Sequence, residues 1–206
     1  MRVRRGVASL VASVVLMLGL VAAAPSANAI SLDKPTGGES GLNVPFEQFI
    51  TLGNAGIFVS PIRPAYLTFR SFAEGPVLHL PVTGGAVESA TMLGTVDHGG
   101  GLLIQKIDSS QGTVEAQLEV TTLRIVNGNQ LTGNALGLIP TPTADLVNAT
   151  HTKNRATGVI HYEADARVSF LTATVLNTYF STSVFKDGLI LGHLKSDIQT
   201  KPVLGL

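Results

Sequence analysis

The chain has neither cysteine nor tryptophan among its 206 residues. Without cysteine it can form no disulfide, thiolate metal site, cysteine nucleophile or lipid-modified cysteine anchor, so an exported form must hold together by its core alone. Charge is sparse, with 14 basic residues against 14 acidic ones. Three of the basic residues, Arg2, Arg4 and Arg5, lie in the first 29; without them 11 basic residues face 14 acids, a net charge of −3. A mildly acidic chain excludes nucleic acid and anionic lipid as partners, because both need clustered Lys or Arg.

Catalytic motifs are missing as well. The chain has no Gly-x-Ser-x-Gly elbow and no glycine-rich phosphate loop opening a helix. Gly37-Gly38-Glu39-Ser40-Gly41 misses the elbow spacing by one residue. The histidines, His79, His98, His151, His161 and His193, never occur as HxH or HxxxH, so no metal site is indicated. Glu115 and Glu119 fall four residues apart on one strand face, about 13 Å, too far for a carboxylate dyad. These absences disfavour an enzyme without excluding one, and the expectation is a non-enzyme.

Residues 1–29 read as a signal peptide. A basic head precedes an apolar run of about 18 residues, Val7 to Ala24, and Ala27-Asn28-Ala29 offers small residues at the cleavage positions. The other reading of that run is a retained membrane helix. Residues 30–43, with Pro35, Gly37, Gly38 and Gly41, read as a flexible lead-in, and 44–206 as a single β-rich domain. The C-terminus from Lys201 is too short and too broken by Pro202 and Gly205 to anchor in a membrane.

Sustained helical period is scarce. Val44 to Leu52 carries Phe46, Phe49 and Ile50 at helical spacing after Pro45, consistent with a short helix or a strand. Short β-patterned runs follow at Ile57–Val59, Ala65–Phe72, Val77–Val82, Met92–Val96 and Leu102–Ile107, separated by Pro and Gly pairs. Gly99-Gly100-Gly101 reads as a turn. In the clearest alternation, Val114, Ala116, Leu118 and Val120 oppose Thr113, Glu115, Gln117 and Glu119; the phase slips at Thr121, which predicts a bulge or a bend between sheets. Asn127-Gly128 predicts a hairpin. Pro140 to Thr157 reads as an exposed loop, Val159 to Phe185 as strand, Lys186-Asp187-Gly188 as a second hairpin, and the tail after His193 as an edge strand or a frayed end.

Asp97-His98-Gly99-Gly100-Gly101 is the most suggestive chemical signal. An imidazole at a strand end beside glycines can ligate a metal or haem iron or take a proton near neutral pH; equally, Asp and Gly are turn formers and His98 a turn residue.

The run Gly94-Thr95-Val96-Asp97-His98-Gly99-Gly100-Gly101-Leu102, with the alternating segment Leu118 to Leu131 ending on an Asn-Gly turn, resembles the HtaA-type domain of secreted and surface haem-uptake proteins of actinobacteria. Val44-Pro45-Phe46-Glu47-Gln48-Phe49-Ile50 would be that family's opening segment. The resemblance implies a two-sheet antiparallel β fold and haem as ligand, held by a tyrosine of the opening segment with a supporting histidine. This chain has Phe49 at that place and lacks the family's early tryptophan. A phenyl ring cannot ligate iron, so haem here would need another ligand, such as Tyr66 or His98.

Together these readings describe an all-β chain, an antiparallel two-sheet sandwich or barrel with at most one or two short helices. It would be secreted or cell-wall associated, without a stable membrane anchor, and would bind an unknown ligand or cell-surface component with no cofactor. The alternative is an HtaA-like binder of haem or another apolar ligand, using His98 and Tyr66. A hydrolase, the second alternative, would need a Ser or carboxylate within hydrogen-bond reach of a histidine in a cleft.

Overall fold

A computed structural model describes residues 32–69, 71–135 and 140–201; the expected signal peptide lies outside them. Eleven antiparallel strands occur among the described residues: β1 (Gly37–Asn43), β2 (Ile57–Ile62), β3 (Tyr66–Phe69), β4 (Pro76–Val87), β5 (Gly94–His98), β6 (Gly101–Asp108), β7 (Thr113–Val126), β8 (Gln130–Ala135), β9 (Pro140–Asn154), β10 (Val159–Arg167) and β11 (Ile190–Gln199). Two helices accompany them, α1 (Phe46–Asn54) and α2 (Phe170–Phe180).

Eight strands close a barrel in the order β1-β4-β5-β7-β8-β9-β10-β11, with β11 returning to β1. Of the two architectures the sequence allows, the chain adopts the barrel. An eight-stranded barrel leaves just enough room for side chains to fill its interior. Every second residue points inward: Ser40 and Leu42 on β1, Leu78, Leu80 and Val82 on β4, Ile160, Tyr162 and Ala164 on β10, Leu194, Ser196 and Ile198 on β11, all buried. Ile160 and Ile198 face each other in register and are fully buried, each stabilising the fold by about 2 kcal/mol. The Tyr162 hydroxyl donates to the Gly128 carbonyl at 2.8 Å, which satisfies a phenol whose pKa burial pushes far up.

The expected lead-in is corrected first. Its last seven residues form β1, a barrel strand between β4 and β11. Its glycines mark close approach of backbones rather than flexibility: Gly38 has φ +110, and a Cβ there would lie 1.9 Å from the Asp197 carbonyl oxygen. The expected loop 140–157 is mostly β9, whose prolines sit at its first turn beside a register irregularity with β8, where a missing N–H is tolerated. Of the tail after His193, the residues up to Gln199 are neither edge nor frayed, because β11 pairs on both sides, while 202–206 lie outside the described residues. Within the expected strand 159–185, α2 replaces the second half. Ser169 caps it, accepting from the Thr172 N–H at 3.2 Å, while Ala173, Leu176 and Phe180 turn to the core at helical spacing.

The phase slip is real. The β7–β8 register shifts between Thr121 and Arg124, and Thr122 takes φ 52. Asn127 and Gly128 both have positive φ, as the predicted type I′ hairpin requires. Gly99-Gly100-Gly101 does not reverse the chain, however. β5 and β6 both run antiparallel along β7, Asp97 opposite Arg124 and Gly101 opposite Thr121, so they are one strand kinked opposite the bulge. The glycines admit the turn between β2 and β3: a Cβ on Gly99 would meet Pro64 at 2.9 Å, and one on Gly100 the Ile62 carbonyl oxygen at 2.3 Å. Beyond the kink the sheet leaves the barrel, with β6 carrying β2 on its outer side, while β3 pairs with the start of β4.

Candidate functional site

His98 points into the barrel. Its Nε2 lies 2.7 Å from the Ser40 hydroxyl, which lies 2.6 Å from the Ser196 hydroxyl, and all three residues are buried. The register explains the chain of contacts: β4 separates β5 from β1, and Ser40 is directly opposite both Leu80 and Ser196. Burial pushes the imidazole pKa down to about 4; the Leu123 backbone and the Asp97 charge oppose that shift without overcoming it. The ring is therefore neutral at pH 7. Its Nδ1 makes no well-formed hydrogen bond, and no carboxylate orients it.

A serine within reach of a histidine is the contact a hydrolase needs; here the His98 ring backs a depression of the barrel wall, but the Ser40 hydroxyl lies behind it in the interior. Ser40 is fully buried, and among the described residues no carboxylate meets His98 Nδ1 to complete a triad. The contact fills and satisfies the barrel interior.

Tyr66 stands on the opposite face. It is 44 % exposed on β3, and its ring stacks on His79 of β4 at 4.4 Å with the planes parallel. The phenol donates to Glu39 Oε2 at 2.7 Å; Glu39 Oε1 is 2.6 Å from His79 Nδ1, and His79 Nε2 is 2.9 Å from the Thr68 hydroxyl. Bonding to Glu39 raises the Tyr66 pKa. The structure thus brings Tyr66 together with Glu39 and His79, not with His98. Sequence reasoning missed both partners. Glu39 fell in the presumed lead-in, and His79 reads as one more strand histidine until β3 is laid beside β4.

The same outer wall continues across β11 and β10, where His161 meets Asp197 at 2.6 Å and His193 meets Asp165 at 2.9 Å. Among the described residues no group of three or more His, Asp and Glu side chains is arranged to hold a metal ion.

Phe49, at the place where the family resemblance puts a tyrosine, belongs to an exposed aromatic cluster. Phe46 contacts Phe49, Phe69 and Phe72 at centroid distances of 6.5, 6.3 and 5.1 Å, and Phe69 meets Phe72 edge-on at 5.4 Å. Phe72 is 71 % exposed. Leu67 and Phe69 alternate with Tyr66 and Thr68 along β3, so the phenyl cluster and the Tyr66 group occupy opposite faces of that strand. β3 pairs only with β4, which leaves its other edge open between the two groups.

No family profile matches the chain, and no curated protein matches it in sequence. Several solved structures do match in shape, among them two with a TM-score above 0.5. The C-terminal domain of HtaA from Corynebacterium glutamicum aligns over 83 % of this chain and all of its own, with a TM-score of 0.59 at 14 % identity. The haem-binding protein HtaB from the same organism aligns over 82 % of this chain and 96 % of its own, with a TM-score of 0.55, also at 14 % identity. The chain has the HtaA-type fold. The resemblance carried by Gly94 to Leu102 thus corresponds to a likeness of the whole barrel. No described helix of this fold is long and apolar enough to cross a membrane.

Proposed function

We propose that this chain is an exported, non-catalytic binding domain that takes its ligand on the outside of a filled barrel, along the open edge of β3. The observation that carries the reading is the concentration of exposed aromatic rings there. Phe49, Tyr66, Phe69 and Phe72 are each at least 40 % exposed, whereas the barrel interior is lined by buried side chains. Surface of this kind suits a flat or apolar ligand.

A second reading makes that ligand haem, favoured by the likeness to HtaB and by a donor that fits. Tyr66 presents an exposed phenol whose proton is already shared with Glu39, so a base stands ready to take it. Tyr66 would hold the iron, and Phe69 of β3 with Phe72 beyond it would offer apolar rings across the same open edge. Bound haem would contribute a Lewis-acidic iron and a visible chromophore. Of the two residues nominated from the sequence, this reading assigns ligand contact to Tyr66 and an internal, structural role to His98.

The test is a titration of the purified protein with haemin, read in the Soret band. A saturable shift that Tyr66→Phe removes, and that Phe72→Ser weakens by tenfold or more, supports haem at this edge. A shift unaffected by either change refutes the assignment. If no shift occurs, binding of an apolar fluorescent dye that Phe69→Ser and Phe72→Ser abolish supports the broader reading, and dye binding indifferent to both sinks it.

A further inference from the structure

The kink and the bulge that face each other across β5, β6 and β7 leave an open depression of about 470 Å³ on the barrel wall. The turn between β2 and β3 walls one side with Ile62 and Arg63; Thr83, Asp97, Thr121, Thr122 and Arg124 line the rest, with Gly100 and the buried ring of His98. We propose that this depression binds a small oxyanion, a carboxylate- or phosphate-bearing molecule, between the guanidinium groups of Arg63 and Arg124.

Charge argues for an anion. Two guanidiniums face one carboxylate, and Arg63 makes no ion pair among the described residues. Asp97 occupies Arg124 only in part: Nε lies 2.8 Å from Asp97 Oδ1, yet neither atom has an aligned hydrogen-bond partner although both are sealed from water. The remaining donors of Arg124 are left for a guest, and a planar guanidinium matches the two oxygens of a carboxylate or phosphate. The backbone supplies an independent observation. Thr122 holds φ 52, a left-handed conformation that a β-branched residue resists, and it does so on the rim of this depression. Such strain, kept where a bulge re-aims side chains, is characteristic of binding sites. Thr121 and Thr122 add hydroxyl donors, which suit an oxyanion better than a halide.

The site does not depend on the ligand proposed at the β3 edge. Its test is thermal unfolding of the full chain at pH 7 with inorganic phosphate or citrate, each against sodium chloride of equal ionic strength. The expected result is a rise in Tm of several degrees with at least one oxyanion and none with chloride, with calorimetry confirming one saturable site. Arg63→Gln, which breaks no ion pair, should leave the anion-free Tm unchanged and weaken binding at least tenfold. Arg63→Lys separates the two sources of the anion: a lysine keeps phosphate within a few-fold but loses the forked grip on carboxylate, so citrate binding falls further. Absence of any oxyanion-specific shift, or full binding by both Arg63 variants, would overturn the proposal.

Discussion

His98 should make the protein acid-labile in a pH window that carboxylates do not share. Burial holds its pKa at about 4 in the folded protein against 6.5 in the unfolded chain. Between those values the unfolded state binds the proton and the folded state does not. Stability contributed by the neutral ring is therefore complete above pH 6.5 and is lost as pH falls towards 4. The difference of about 2.5 units corresponds to about 3 kcal/mol at 1.36 kcal/mol per unit, or roughly 6–12 °C in Tm for a domain of this size. Carboxylates held low by hydrogen bonds, Asp108 by Ser110 and Asp165 by Asn148, act in a lower window. Their contribution is present above pH 3.8 and lost below it. The assay is urea unfolding of the native chain and of His98→Gln at half-unit steps from pH 7 to pH 4. His79, His161 and His193 are common to both proteins and cancel in the difference. The native chain should lose about 3 kcal/mol more than the variant across this range. Parallel pH profiles for the two proteins would show that His98 does not titrate as a buried neutral ring, and the argument for its internal role would fail.

Two further outcomes follow from the same packing. Ser40→Ala removes the hydroxyl bonded to both His98 Nε2 and Ser196 Oγ, leaving two buried groups unpaired. Chemical denaturation at pH 7 should show a loss of about 1–3 kcal/mol, and an unchanged midpoint would contradict the contact. Gly100→Ala places a Cβ at 2.3 Å from the Ile62 carbonyl oxygen and 2.5 Å from the Ala65 nitrogen, at φ +82, whereas Gly112→Ala at φ +66 meets nothing within 4 Å. The second should cost only the backbone term, about 1 kcal/mol, and the first clearly more. Equal losses in thermal melts would mean that the β2–β3 turn does not press on the kink.

How far the sequence could be read depended on whether its signals were local. The bulge at Thr121 and the Asn127-Gly128 hairpin were legible because a phase slip and a turn pair act within a few residues. The class of fold was legible because period two dominates. β1 was not, since Gly37, Gly38 and Gly41 carry no local β propensity, and the inward residue Ser40 is polar and matched only by His98 and Ser196, 58 and 156 residues away. α2 was missed because Thr, Val, Tyr and Phe favour strands by propensity, while the signal that won, a capping serine followed by core residues at helical spacing, is short. Thr174 and Thr178 remain helical by turning their hydroxyls back onto the Phe170 and Thr174 carbonyls at 2.8 Å. Tyr66 and His98 were named together, but the sequence could not show that Tyr66 neighbours His79, because strand order alone decides that β3 lies beside it.

That strand order also indicates where a binding function can be placed. Closing a barrel removes its edges, and here the interior chain from His98 through Ser40 to Ser196 helps to hold the register. A one-residue slip of β1 would turn Ser40 out and leave the imidazole without its partner. Among the described residues three strands lie outside the closed ring, β2, β3 and β6, and of these β2 and β3 are paired on one side only. Exposed edges with large apolar side chains invite unwanted association, and proteins normally blunt them with charge. These edges instead carry Phe58, Tyr66, Leu67 and Phe69, each more than 40 % exposed and none replaced by Lys or Glu. On the proposed reading a ligand covers this aromatic surface, and the search for it starts at the unclosed strands rather than in the barrel.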